Sequence, residues 1–366
     1  MRSKRDKVVV WICILATAGM LFLSSGFERE HSGERAKVQV LQTNDNAVRQ
    51  FGIVKTGDQS LKVRVLQGAF KDREVEAVNH LIGKLEFDRI YSPGDTALAT
   101  LDSNGKDILK VTVVDYYRLE TELLLFAVFS VFLLGFGGWT GLRSLLSFVF
   151  TGTVLWKILL PGVLRGWNPI VASLAISALL TVVINFLVSG VDKKGVVATL
   201  GALAGIALTC GLSLFFGRQF SIHGAVKPFS ETLLYSGFAH LDLTGIFLGG
   251  IFLASSGAVM DLGMDIASAL NEIVLKNPKI ERWDLIQSGF AVGRMVIGTM
   301  TTTLLLAYTG GFMTLLMVFV AQGTPAVNIL NLQYVAAEVL HTLVGSIGLV
   351  AVAPLTAILG GYVMTL

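Results

Sequence analysis

Apolar runs close to 20 residues long recur along this chain, and no other feature restricts its fold so tightly. A helix needs about 20 predominantly apolar residues to cross the hydrocarbon core of a bilayer. Nine runs approach that length: Val8–Leu23, Leu123–Trp139, Leu145–Leu164, Pro169–Ser189, Val196–Phe216, Leu243–Leu262, Leu285–Tyr308, Phe312–Leu330 and Tyr334–Tyr362. Of the 366 residues, 53% are hydrophobic and only 15% are charged, too few to clothe a soluble protein of this size. The runs therefore predict a polytopic α-helical membrane protein with eight or nine transmembrane helices.

Composition changes sharply between the first two runs. Glu28–Glu120 holds 15 of the 26 acidic and 14 of the 29 basic residues. Short stretches such as KVQVL (37–41), LKVRVL (61–66), EVEAVN (74–79), TALATL (96–101) and DILKVTVV (107–114) alternate apolar and polar residues, as half-buried strands do. Gly57-Asp58, Ser92-Pro93-Gly94-Asp95 and Asn104-Gly105 punctuate them as turns. The expected outcome is a small β-barrel of OB or SH3 type, with Leu61, Val63 and Val65 inward. The chain thus divides into an N-terminal anchor (1–27), a β-rich domain (28–120) and a polytopic domain (121–366). His31 and His80 stand alone in the β-rich domain, with no aromatic stacking pair or ligand cluster, so docking is expected of it rather than ligand binding.

Basic residues set the orientation. Arg2, Lys4, Arg5 and Lys7 precede the first run, and alternation places Arg143, Lys193, Lys194, Lys276, Lys279 and Arg282 on their side. Outward short loops carry only Arg165, Arg218 and Lys227. The positive-inside rule then puts the N-terminus in the cytoplasm and the β-rich domain outside. No lysine or arginine follows Tyr308, so the side of the C-terminus is open. Ser24-Ser25-Gly26 offers a cleavage site, but an uncleaved anchor is the expectation. The net charge of +3 implies no nucleic-acid partner, and two isolated cysteines, Cys13 and Cys210, support neither a disulfide framework nor a zinc cluster.

Charges inside the apolar half are the functional lead, because carboxylates and guanidinium groups near hydrocarbon are costly and face cavities, partners or ion paths. Asp261, Asp265, Ser268 and Glu272 fall on one helical face, and Ser255-Ser256-Gly257 just before them is a candidate helix break. Arg294 is expected to be neutralised by Asp261 or Glu338. Glu338 and His341 lie one turn apart and form a proton-sensitive pair. Asp261, Asp265, Arg294, Glu338 and His341 are the candidate path or buried charge network. In the outward loop 217–243, His240 and Asp242 lack two further ligands at fixed spacing, and no metal is expected there or elsewhere. Phe229–Phe238 is expected to be an interfacial helix with Tyr235 and Phe238 at headgroup level. The run Gly201, Gly205, Gly211 reads as tight helix packing.

The runs SSGAVMD (255–261), IASALNE (266–272), AEVLHTLVGSIGL (337–349) and VAPLT (352–356) resemble the YibE/F family of bacterial multi-pass membrane proteins from Tyr116 onward. The preceding barrel with its anchor is similar to the YibE-type layout. This resemblance implies a bacterial membrane permease without naming a substrate. His341 departs from it, since arginine is expected there in many relatives.

No enzyme is expected. Asp261 and Asp265 share one helix where an intramembrane aspartyl protease needs two, Ser256 and His240 lack a third triad member, and no phosphate loop appears. The reading is a secondary transporter or permease in the bacterial cell membrane, without cofactor, moving a small solute or ion with proton or cation coupling. The alternative is a non-transporting envelope-assembly or scaffold protein that displays the docking domain. The bilayer is one partner, and a homo-oligomer or membrane partner is left open. Gln59→Cys should react with an impermeant thiol reagent in intact cells while Lys193→Cys does not. Labelling of Lys193→Cys alone reverses the assigned orientation.

Overall fold

The computed structural model describes residues 4–24, 26–27, 33–104 and 106–365. Arg2 of the basic flank, Ser25 of the cleavage candidate, Glu28, His31 and Gly105 lie outside the described residues, as do the side chains of Lys4 and Arg5. The chain forms two compact units, Glu28–Phe132 and Met1–Phe27 with Leu133–Leu366.

Five strands build the first unit: β1 (Glu34–Phe51), β2 (Val54–Val65), β3 (Glu74–Ile82), β4 (Thr96–Ser103) and β5 (Ile108–Tyr116). They close into a barrel in the order β1-β2-β3-β5-β4, every pairing antiparallel except β3 with β5. β1 and β2 are longer than their sequence stretches because the hairpin continues to Phe51 and Val54, and register shifts in β1 let the long strand bend. Gly57 is required where β2 crosses β1, since its φ is 104° and a Cβ there would meet the Ala47 carbonyl. Leu61, Val63 and Val65 point into the core with Val38, Val40, Ala99 and Leu101. Lys62 and Arg64 point out and pair with Glu74 at 2.9 and 2.7 Å. These two cations hold the Glu74 carboxyl below the usual range, and a hydrogen bond from Arg118 does the same for Asp115. Burial pushes the Tyr91 hydroxyl up.

One buried amide ties the barrel layers together. Gln59 is fully buried; its Nε2 donates to Asp45 Oδ1 and the Tyr91 carbonyl, each at 2.9 Å. Its Oε1 accepts from Asn79 Nδ2 at 3.1 Å and the Tyr91 amide at 3.0 Å. Gln59 is therefore a poor labelling site, and exposed Lys71 replaces it.

The expected eight or nine spans are corrected to six: among the described residues, six helical stretches are long and apolar enough to cross a membrane. Two candidate runs lie on helices that meet at a non-helical kink. α2 (Leu119–Val154), a π-helical turn at Leu155–Leu159 and α3 (Leu160–Leu164) form one 46-residue stretch. It is broken only at Gly138, whose φ of 50° and ψ of −124° are non-helical and accessible to glycine. A third candidate fails: Phe312–Leu330 is cut into α9 (Met313–Ala321) and α10 (Ala326–Asn331), because Gly323 takes a φ of 64° and Pro325 cannot continue a helix. The first run gives α1 (Lys4–Leu21), whose apolar part, Lys7–Leu21, is shorter than a span.

The remaining spans are α4 (Pro169–Ser189), α5 (Lys193–Gln219), α7 (Leu243–Lys276), α8 (Arg282–Gly310) and α11 (Gln333–Met364). The short α6 (Ser230–Tyr235) lies in the 220–242 loop with Tyr235 exposed. Small residues fix how the spans pass each other. Gly249 of α7 meets Ser173 of α4, Gly345 of α11 meets Ser255 of α7, and Gly360 of α11 meets Leu270 of α7. α4, α7 and α11 therefore run in one direction. Gly201 of α5 against Thr356, and Gly293 of α8 against Ala353, show that α5 and α8 run the other way. The C-terminal end of α11 consequently lies beside Arg282, where Thr365 Oγ1 is 3.5 Å from Arg282 Nε.

Replacing Gln59 by leucine keeps its volume but leaves Asn79 Nδ2 with only the Arg89 carbonyl and strands both Tyr91 backbone groups. A buried polar group left without a partner costs about 1–3 kcal/mol. Gln59→Leu should accordingly lower barrel stability by at least about 2 kcal/mol, read as faster amide exchange in β2 and β3. Unchanged protection would show that the amide network contributes nothing.

Candidate functional site

The loop that follows α5 carries Lys227 into the bundle. Its Nζ donates to Glu338 Oε2 at 3.0 Å, across 111 residues of sequence. Glu338 is 9% exposed on α11, so its charge is compensated by the lysine rather than by water. The ammonium also lies 4.7 Å from the Phe312 ring centre and 5.7 Å from that of Phe247, two faces that favour a cation.

One turn further along α11, His341 Nδ1 stands 3.8 Å from Glu338 Oε1, too far for a hydrogen bond. The imidazole stacks on Tyr308 of α8, with ring centres 4.1 Å apart and planes inclined by 28°. Both nitrogens of His341 and the Tyr308 hydroxyl are buried without a hydrogen-bond partner among the described residues. Buried polar atoms of this kind are normally satisfied, and here three cluster around one carboxylate.

Glu338 and His341 each line a cavity. One of about 190 Å³ is lined by Glu338, Thr309, Phe312 and Thr342. A second, of about 420 Å³, is lined by Lys227, His341, Phe247, Gly250 and Ile251. The ion pair thus stands between two spaces, each large enough for water or a small solute.

A buried polar seam extends from this level. Ser173, Ser177, Thr181 and Asn185 recur every fourth residue of α4 and are all buried. Thr181 Oγ1 donates to the Ser177 carbonyl, whereas Ser177 Oγ and both side-chain atoms of Asn185 have no partner among the described residues. Ser255 and Ser256 of α7, Thr209 and Ser213 of α5 and Thr356 of α11 are buried as well. Gly345, beside Tyr308, packs on Ser255 and so joins the cluster to the seam.

The five charged residues singled out in the sequence do not form one network. Ile251 lines the cavity that touches His341, and Asp261 lies ten residues further along α7, about 15 Å away at 1.5 Å per residue. Helices locked by glycine contacts cannot slide to close that distance. Asp261 and Asp265 lie on the exposed face of α7, and Arg294 is exposed on α8. Arg294 makes no ion pair with Asp261 or Glu338 among the described residues, and Glu338 is held by Lys227 instead. The expected break at Ser255-Ser256-Gly257 is absent. α7 is continuous from Leu243 to Lys276, and the two serine hydroxyls donate to the Phe252 and Leu253 carbonyls inside the helix. His240 Nε2 is 3.2 Å from the Leu164 carbonyl, and Asp242 caps α7 by accepting from the Gly245 amide.

The model of the YibE/F-like protein family matches residues 125–366. This chain is a YibE/F-like protein. No curated protein and no solved structure matches it. The matched region of this YibE/F-like protein includes Glu338, His341, Tyr308 and Lys227, and the whole polar seam. Lys227 and Tyr308 were not legible as site residues. Lys227 reads as an ordinary loop cation and Tyr308 as the end of an apolar run, and only packing brings them to Glu338.

Lys227→Met removes the partner of a nearly buried carboxylate. Because the lysine is 35% exposed, the cost should be about 1–3 kcal/mol rather than the full cost of an isolated buried charge. Adding Glu338→Gln should recover about 1 kcal/mol, measured as a double-mutant cycle on unfolding in mixed micelles. Strict additivity would separate the two side chains energetically.

Proposed function

We propose that this YibE/F-like protein is a secondary transporter that moves a small solute or ion across the bacterial cell membrane. The observation that carries the reading is the Glu338–Lys227 ion pair with its stacked His341–Tyr308 neighbour, set between two cavities. An ion pair at such a place can open when a competing cation or proton takes the carboxylate, which is how binding of a coupling ion can alter access. His341 supplies a second proton acceptor one turn away. The seam of serine, threonine and asparagine on α4, α5 and α7 offers hydroxyl and amide groups to a hydrated solute beyond the cluster. Asp261 and Asp265 lie farther along α7 on its exposed face and do not enter this reading. No cofactor and no catalysis are invoked.

In this reading the N-terminus, Lys193, Lys276 and the C-terminus face the cytoplasm and the barrel is extracytoplasmic, which takes α1 as a short crossing and the Leu119–Leu164 stretch as crossing twice, turned at the Gly138 kink. Its strand order, with β3 parallel to β5, fits an OB-type barrel better than an SH3 type. A barrel outside the membrane suits a docking or solute-delivery role. The second reading, a scaffold for envelope assembly, draws on the exposed apolar side chains Phe51 and Ile53 at the tip of the β1–β2 hairpin.

Purified protein in proteoliposomes, screened for solute and metal-ion uptake with and without a pH gradient, tests both. Wild type should transport at least one class of solute, and Glu338→Gln and His341→Ala should reduce gradient-driven flux to the rate of empty vesicles. Full flux in both variants overturns the assigned path. No flux of any solute under any gradient leaves the scaffold reading in its place.

A further inference from the structure

α7 packs against α4, α5, α8 and α11, yet one stripe of it is left uncovered. That stripe runs Ala254, Gly257, Asp261, Asp265, all exposed. Two carboxylates on a helix that crosses a membrane cannot rest against hydrocarbon at low cost. α8 presents the opposite charge in the same predicament. Arg294 lies 12 residues from Arg282 and 16 from Gly310, about 18 and 24 Å from the two helix ends at 1.5 Å per residue. Both distances exceed what an arginine side chain spans by snorkelling. Arg294 has no ion-pair partner among the described residues, and neither aspartate has one.

The two charged patches lie at one depth. A Cβ at Gly293 of α8 would be 3.6 Å from Ile266 Cδ1 of α7, so Arg294 and Asp265 flank a direct contact between the helices. The neighbouring contact, Gly289 with Leu270 at 3.2 Å, confirms the register. Depth decides what can cover such a surface. Two copies of one membrane protein inserted in the same orientation, related by a two-fold axis along the membrane normal, keep every residue at its own depth. A two-fold contact is also reciprocal: if Arg294 of one copy meets Asp265 of the other, the reverse pair forms too.

We propose that the open face between α7 and α8 binds a second copy of this chain in parallel, with reciprocal Arg294–Asp265 pairs and Asp261 one turn away as a further acceptor. This face is distinct from the Glu338–Lys227–His341 cluster and does not depend on transport. The small residues Ala254 and Gly257 on the same stripe let the partner helix approach closely, and that approach removes the charges from lipid.

The test uses two differently tagged full-length populations in one membrane, both with Cys13→Ser and Cys210→Ser. One carries Asp265→Cys and the other Arg294→Cys, so a disulfide between the tags can form only between copies. Mild oxidation should give a reducible mixed dimer, and a control pairing exposed Val171→Cys on α4 with Arg294→Cys should not. Single-molecule photobleaching in liposomes should show two copies for wild type. Arg294→Asp or Asp265→Arg alone should weaken association roughly thirtyfold or more, and the charge-exchanged double variant should restore it. Each variant is first matched to wild type in monomer size and helix content. A monomeric wild type, an oligomer without the 265–294 cross-link, or failure of the exchanged pair to restore association would each overturn the proposal.

Discussion

Close passage of α5, α7 and α11 at small residues is the constraint from which the membrane unit follows. Gly201 against Thr356, Gly205 against Val259 and Val352, Gly345 against Ser255 and Gly348 against Thr209 leave no room for side chains larger than those present. Between helices in lipid there is no hydrophobic driving force, so van der Waals fit and occasional hydrogen bonds must hold them together. Such contacts form at only one register. They fix the depth of each residue relative to its neighbours.

That fixed register separates the charges into two levels with different surroundings. At one level the loop lysine, the α11 carboxylate and the stacked rings share a buried place with cavities on two sides. About 15 Å along α7, Asp261, Asp265 and Arg294 face outward and are left to whatever lies beside the bundle. A seam of hydroxyl and amide groups runs through the packed interior between the levels. Part of it lacks partners among the described residues, which is costly in hydrocarbon and is retained where water or a polar solute can satisfy it. The cluster and the exposed charges thus answer separate problems, one inside a bundle and one at its surface.

The barrel obeys a different physics. Its core is the alternating inward set Val38, Val40, Leu61, Val63, Val65, Ala99 and Leu101, and burial of that set fixes strand register. Like Asn79, Gln59 is an exception within the pattern. A polar residue in a buried position is tolerated because all its hydrogen-bonding atoms are engaged, and it links β2 to the Tyr91 segment that closes the barrel.

The sequence by itself determined the membrane class, the β-rich insert and the residues that could carry charge chemistry, because hydrocarbon thickness and strand alternation act locally and leave periodic traces. Glu338 and His341 were legible as a pair for the same reason, being one turn apart on α11. Long-range geometry left no such trace. The expected eight or nine spans became six, since the first run gave a short helix, two runs lie on one stretch kinked at Gly138, and Gly323 with Pro325 cut another in two. Serines expected to break α7 bonded back into it. Tertiary structure alone decided that Glu338 answers to Lys227 rather than Arg294, because a partner 111 residues away is selected by packing and not by spacing. It also decided that Asp261 and Arg294 stay apart from that site, because glycine contacts that hold helices in register fix depth, and depth is a property no single helix carries.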